Sequence, residues 1–517
     1  MSKSLFKATG IILAINLIVK LLGFIRETSI AWGFGATAIT DAYKVAYTIP
    51  YFLQAILGFA LVTVTVPVLT RYWINNDQEA AFHVGSSITN IIAIIMAVVS
   101  VIGIAFAPTL VFLTAPNLAP ETSVLAIEMT RIMFPSVLFM SLGMVFTGIL
   151  NSRYRFAAGA LAPGISNIVI ICSVLLFSTS GILSLAWGTL ISFAAFFTFL
   201  LIAVKRAGFR YQPKLDLQHS AVKGVLKDIM PIVLGVAVNQ IYALINRIFA
   251  SGLADGSISA LDFANKLMNL PIGVFVAAVA AAIYPALAER ALKKDNIGLA
   301  KTMNKGLGMV LLVAIPASIG LIVLSQPIVQ LLFERGAFDA AATSTTAYAL
   351  SFYCVGLVAV AANMILTRAY YSFNDVKTPV FMGMISIGVN VAASFILLPI
   401  FQHGGLALAN SIAAFVNTVL LYTFLRRRLS EISTTRLFKS AGKVLISSLL
   451  MGVIVMLIMR LTSGFATSTF NLLVCVGGSI IIGCIVYFLL VKLLRVEEVE
   501  SFIGILREKL QRKKLNN

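Results

Sequence analysis

Charge is what this sequence has least of. Of 517 residues, 11% are Asp, Glu, Lys or Arg and 59% are apolar or aromatic. An average soluble chain carries about 25% charged residues. Too little charge remains to cover a water-facing surface, which excludes a soluble enzyme, and a chain this apolar is not disordered. Cysteine is scarce as well. Cys172, Cys354, Cys475 and Cys484 stand singly in apolar runs without CxxC spacing, which excludes a disulfide scaffold and predicts small buried hydrophobes. The three histidines, His83, His219 and His403, are far apart in sequence, so no metal site is expected. No Walker loop, HExxH or nucleophile elbow is present. The chain is therefore expected to be a transporter rather than an enzyme and to carry no cofactor. An ion gradient, the membrane potential or consumption of the product outside would drive it.

What is abundant is long apolar segments. A membrane-crossing helix takes roughly 20 apolar residues. Fourteen runs meet that length, near 5–32, 40–71, 82–113, 122–150, 157–179, 182–204, 225–251, 260–288, 300–325, 341–371, 378–400, 405–425, 438–461 and 468–494. They are continuous rather than alternating, which excludes a barrel. The expected fold is an all-α polytopic membrane protein with fourteen transmembrane helices. Its cations collect in the even-numbered connections, for example Arg153 and Arg155, then Lys205, Arg206, Arg210 and Lys214, then Arg426, Arg427 and Arg428. The positive-inside rule places those connections and both termini in the cytoplasm. That placement accounts for the net charge of +19 without nucleic acid as a partner.

The chain also repeats itself. Arg26, Asp41 and Pro50 stand at intervals of 15 and 9, and Arg247, Asp262 and Pro271 stand at the same intervals, 221 residues later. Phe156 and Phe373 (offset 217) and Leu185-Ala186 with Leu408-Ala409 (offset 223) are further stations. Six spans separate the copies, so both enter the membrane in the same sense, giving a parallel repeat. The expected organisation is an N-lobe at 1–206, a basic cytoplasmic linker at 207–224, a C-lobe at 225–428, spans 13 and 14 within 429–496, and an amphipathic basic tail at 497–517. Transporters of this plan hold substrate between their lobes and rock them. Pro50 and Pro271, at matching positions, are the expected hinges.

An ionisable group at bilayer depth costs about 2.5–3.5 kcal/mol and is a functional candidate by default. Spans 1 and 2 hold Lys20, Arg26, Glu27, Asp41 and Lys44, and spans 7 and 8 hold Arg247, Asp262 and Lys266. Lys20 and Glu27, seven apart, share a helix face. The first group has three cations against two acids, a surplus that suits an anionic substrate such as a phosphate or pyrophosphate. Lys20, Arg26, Lys44, Arg247 and Lys266 are therefore the candidate substrate-binding residues. Glu27, Asp41 and Asp262 are the candidate ion-pair or gating residues.

Residues 20–69, KLLGFIRETSIAWGFGATAITDAYKVAYTIPYFLQAILGFALVTVTVPVL, resemble the opening of the MurJ (MviN) family. So do NSRYRF at 151–156, APGISN at 162–167, ANKLMNLPIGV at 264–274, FERGAFD at 333–339 and YSFNDVKTPV at 371–380. The resemblance implies a lipid II flippase of the multidrug/oligosaccharidyl-lipid/polysaccharide exporter superfamily. Such a protein moves undecaprenyl-pyrophosphate-linked peptidoglycan precursor from the inner to the outer leaflet of the bacterial plasma membrane. It implies two six-helix lobes around a cationic cavity, with spans 13 and 14 forming a groove for the lipid tail. Lys20 stands where the family has arginine, Glu27 where it has aspartate, and Lys266 keeps the span 8 cation while Asn265 and Asn269 replace acids. Membrane lipids and the cell-wall synthesis machinery are the implied partners. Two other readings stay open at this point: a flippase for another undecaprenyl-linked glycan, of capsule or teichoic acid, and an ion-coupled drug antiporter.

Overall fold

The computed structural model describes residues 3–429, 434–465, 468–496 and 498–499, so most of the expected amphipathic tail lies outside the described residues. Everything described is helix or short connection, with no strand. Helix is the solution these runs allow, because backbone N–H and C=O groups in hydrocarbon must bond within their own segment. The helices are α1 (Lys3–Phe34), α2 (Ala38–Ile74), α3 (Gln78–Ala105), α4 (Ala107–Thr114), α5 (Pro120–Met133), α6 (Ser136–Ser152), α7 (Phe156–Phe177), α8 (Leu183–Arg206) and α9 (Ser220–Ala250). They continue as α10 (Ser257–Pro271), α11 (Ala277–Leu292), α12 (Asn296–Val323), α13 (Ser325–Phe333), α14 (Ala340–Ser372), α15 (Lys377–Phe401), α16 (His403–Arg428), α17 (Thr434–Thr462) and α18 (Thr469–Leu493).

Among the described residues, eleven segments are long and apolar enough to cross a membrane, and the bent pair α5–α6 makes a twelfth. Its 41° bend falls at Phe134 and Pro135, where proline removes a backbone donor. With α1 and α9, of 32 and 31 residues, the long segments follow the expected fourteen in order and nearly in limits. Side chains end several of them. Asp77 accepts from Ala80 N at 3.1 Å and Asp295 from Gly298 N at 2.8 Å, so α3 and α12 begin where an N-cap carboxylate satisfies a free backbone donor.

The chain divides into two compact units. The first runs to Ser259 and includes Arg335–Ala342; the second holds Ala260–Glu334 and the chain from Thr343 onward. In the first, α2 packs on α5, α6 and α9, α1 on α7, and α8 on both α6 and α7. Helix α9 thus belongs to the first compact unit, although the sequence repeat counts it as the start of the second copy. The basic linker after α8 is an ordered strap along α3. Phe209 stacks edge-on against Phe82, Gln212 N donates to Ser86 Oγ at 2.9 Å, and Tyr211 donates to Asn90 at 2.7 Å. His83 meets Asp216 at 3.0 Å, and its ring lies 5.9 Å from that of His219, so two histidines distant in sequence are neighbours. That contact holds the Asp216 carboxyl below the usual carboxylate range.

In the second unit α15 and α16 form a hairpin, while α11 and α17 pack on α12 and α18 packs on α17. Buried Ile315, Val444, Val491, Val496 and Val499 make one apolar cluster, and Tyr487 donates to Leu312 O at 2.7 Å. Spans 13 and 14 are thereby attached to α12. The cysteine expectation holds only in part: Cys354 is buried, but Cys172 and Cys484 are exposed. Small apolar side chains are as well placed on a lipid-facing surface as in a core, since lipid tails are equally apolar.

Candidate functional site

The repeat's first copy builds a buried charge network from α1 and α2. Glu27, about two turns before the end of α1 at Phe34, is 3% exposed. One carboxylate oxygen meets Arg26 Nη2 at 2.5 Å, and the other meets Lys44 Nζ of α2 at 2.6 Å. Lys44 is itself 5% exposed. Arg26 also donates through Nη1 to Asn167 Oδ1 of α7 at 3.1 Å. Two cations therefore share one acid inside the helical bundle, a cationic surplus among these three side chains. The Nε of Arg26 is buried with no hydrogen-bond partner, a donor still to be satisfied. Beside the network, Tyr43, Tyr47 and Tyr51 stack at 5.9 and 5.6 Å along α2, and the Tyr43 hydroxyl lies 3.0 Å from Thr189 Oγ1.

Asp41, three residues before Lys44, does something different. Its Oδ2 accepts from Gly256 N at 2.7 Å, and its Oδ1 accepts from Ser259 N at 2.7 Å and Ser259 Oγ at 2.6 Å. It acts as an N-cap supplied from another helix, on the first turn of α10, where free backbone donors and the helix dipole favour a carboxylate. Arg247 is near enough for its charge to act on Asp41. Close backbone packing surrounds this latch. Gly256 (φ +83°) leaves no room for a Cβ against Ala36 O, and Gly336 (φ +61°) leaves none against Trp32 O, while Ala337 N donates to Trp32 O at 2.9 Å. One end of the first unit is knitted from the end of α1, the start of α10 and the turn that holds Gly336 and Ala337.

The remaining predicted residues stand apart from that network. Lys20 is exposed on α1, six residues before Arg26. Lys266 is exposed and Asp262 half-buried, one turn apart on the part of α10 that belongs to the second unit. Asn265 and Asn269 pair with each other there, at 2.8 Å. Pro50 is buried inside an α2 that runs unbroken, whereas Pro271 ends α10 and is followed by a π-helical turn, Ile272–Val276. Sequence reading missed the parts played by Asn167, Gly256 and Ser259. A polar residue inside the apolar APGISN run, and the Gly-Ser-x-Ser pattern before a span, were the available signals.

Buried charge carried by apolar helices of this length marks a multi-pass membrane protein. The family profile described as lipid II flippase MurJ matches residues 30–476. A Burkholderia cenocepacia protein described as lipid II flippase MurJ is 31% identical over 435 residues, 82% of this chain and 84% of its own. A solved structure described as lipid II flippase MurJ in an inward closed conformation superimposes with a TM-score of 0.81 at 26% identity, covering 94% of this chain and 99% of its own. The chain belongs to the MurJ family. A multidrug resistance MATE family transporter in an inward-facing conformation, at 16% identity and a TM-score of 0.67, shares the fold.

Proposed function

We propose that this chain moves lipid II, the undecaprenyl-pyrophosphate-linked peptidoglycan precursor, from the inner to the outer leaflet by alternating access, in the service of cell-wall synthesis. The observation that carries the reading is the buried network in which Arg26 and Lys44 share Glu27. Its surplus positive charge, the unsatisfied Arg26 Nε and exposed Lys20 on the same helix are matched to a pyrophosphate, which supplies charge and acceptors together. Lys266, exposed on the part of α10 that belongs to the second unit, is a further candidate cation for an anion of this kind. Glu27 prevents the two cations from repelling each other when no substrate is bound.

Asp41 is the gate. Its three hydrogen bonds lock the first turn of α10, and a hydrogen bond to a charged group is worth about 1.5–3 kcal/mol. To reverse a two-state preference from 1:99 to 99:1, the substrate must favour the open state by about 5.5 kcal/mol. Pro50 and Pro271 are the hinges in this reading, and the basic connections face the cytoplasm with both termini. Movement draws on an ion gradient or the membrane potential. The test is a leaflet-specific assay of labelled lipid II in vesicles containing the purified chain. Lipid II is expected to cross faster than in protein-free vesicles and faster than an undecaprenyl-linked capsule or teichoic-acid unit. Faster crossing of such a unit would reassign the cargo.

A further inference from the structure

The NSRYRF motif, 151–156, plays no part in the site above. It forms the turn between α6 and α7. Tyr154 has a left-handed backbone (φ +59°) and is 74% exposed, and Arg155 N donates to Leu150 O at 3.0 Å. Against this turn lies a cavity of about 420 Å³, walled by Ile12 of α1, Leu150 of α6, Phe156 and Ala157 of α7 and Ala203 of α8. Arg155 is the charged residue in its wall. Ligand pockets run from about 300 to 1,000 Å³. Ala157 also begins an exposed apolar stripe along α7, continued by Leu161, Ile168, Cys172 and Leu175 at helical spacing, so the cavity adjoins an exposed apolar helix face of the kind that lipid chains cover. The C-terminal end of α8 beside it carries exposed Lys205 and Arg206.

The two arginines of the motif are used unequally. Arg153 donates to Ala207 O and lies 4.7 Å over the Trp73 ring, so it is committed to the fold. Burial, and then the neighbouring charge of Arg155, hold Arg153 below the usual arginine range. Arg155 is exposed and forms no ion pair among the described residues. The second unit supplies the control. Its turn at 370–375 has the same left-handed residue (Asn374, φ +58°) and the same bond, Asp375 N to Tyr370 O at 3.1 Å. Asp375 stands there in the place of Arg155 and pairs with Arg428 at 3.1 Å. A cation at position 155 is therefore not something the turn itself requires.

We propose that this cavity is a binding site for an anionic phospholipid, with an acyl chain in the apolar crevice and the phosphate on Arg155. The occupant follows from complementarity: an apolar crevice beside an exposed apolar helix face needs a chain, and an exposed guanidinium at its mouth needs an anion. Arginine meets phosphate through two parallel bonds, which a zwitterionic lipid shares with its own ammonium. The site is independent of the flipping reaction.

Native mass spectrometry of the full chain, exchanged into mixed micelles of phosphatidylglycerol and phosphatidylcholine with matched chains, tests it. The wild type is expected to retain one phosphatidylglycerol about fivefold over phosphatidylcholine, the preference equivalent to the about 1 kcal/mol that one basic residue contributes at an anionic surface. Arg155→Gln should abolish the preference, Arg155→Lys should keep part of it, and Ala157→Trp should lower retention of both lipids. Because Arg155 is exposed, its variants remain readable even where Ala157→Trp does not fold. Unchanged preference in Arg155→Gln would overturn the proposal. So would displacement of the retained phosphatidylglycerol by one equivalent of undecaprenyl phosphate, which would make the crevice a substrate site.

Discussion

Spans 1 and 2 and their counterparts 221 residues later carry the same Arg, Asp and Pro stations and solve the problem of buried charge in opposite ways. In the first copy Glu27 and Lys44 are both almost fully buried and bonded at 2.6 Å. Adding the offset of 221 to each gives Ile248 and Asn265. The acid has become a hydrocarbon and the base a neutral amide. A buried ion pair is stable only as a pair, because removing one partner leaves an uncompensated charge. Its complete replacement in the second copy is what that rule demands. The second copy's lysine is Lys266, one position out of register and exposed. The aspartates divide in the same way: Asp41 is 4% exposed and caps α10, while Asp262 is half-buried on α10 itself. The first copy holds a built site, and the second holds an open cation.

The largest expected effect comes from splitting the buried pair. Glu27→Ile should destabilise the chain by about 3–5 kcal/mol, seen as a lower melting temperature in detergent. Glu27→Ile with Lys44→Asn imports the second copy's solution and should recover the part of that loss that comes from stranding Lys44, Arg26 being left without its acid in both variants. If the double variant melts no higher than the single, the two copies do not differ for the reason given.

Next is the latch. Asp41→Asn weakens three hydrogen bonds and should cost about 1.5–3 kcal/mol. Amide exchange at Gly256 and Ser259 should then speed up by about tenfold or more, 1.4 kcal/mol being a factor of ten. Asp262→Asn, in the other copy, removes no N-cap from α10 and should leave amide exchange at Gly256 and Ser259 unchanged. Equal effects from the two substitutions would remove the distinction between them.

The smallest effect belongs to the turn that neutralises itself. Burial pushes the Asp375 carboxyl up, but the bonds from Thr378 and the Arg428 guanidinium outweigh it and hold the group below the usual carboxylate range. An acid depressed in the folded state contributes its stability above the unfolded value, about 3.9. That contribution is lost as the pH falls through the folded value. Arg428→Ala should therefore cost about 0.2–1 kcal/mol near neutrality and less below pH 4, as read from melting curves at the two pH values.

Much of this architecture was legible in the sequence, because the length of an apolar run reports a membrane helix directly. The limits of α8, expected at 182–204 and found at Leu183–Arg206, show how closely. The repeat was legible too, although the turns at Leu150–Arg155 and Tyr370–Asp375 match at an offset of 220, not the 217 of Phe156 and Phe373. What spacing could not provide is which helix faces which. That Glu27 belongs to Lys44, that Asp41 caps a helix more than 200 residues away, and that His83 meets Asp216 are facts of packing. Periodicity assigns a residue to a face and leaves its partner unspecified.

The central claim is that a surplus of cations binds a pyrophosphate, and its most direct test uses the two that are exposed. The initial rate of lipid II translocation in vesicles, normalised to folded protein, should fall by about tenfold or more in Lys20→Gln and in Lys266→Gln, a loss of about 1.4 kcal/mol or more each. Lys20→Arg and Lys266→Arg should restore it. Wild-type rates in both glutamine variants would contradict the account.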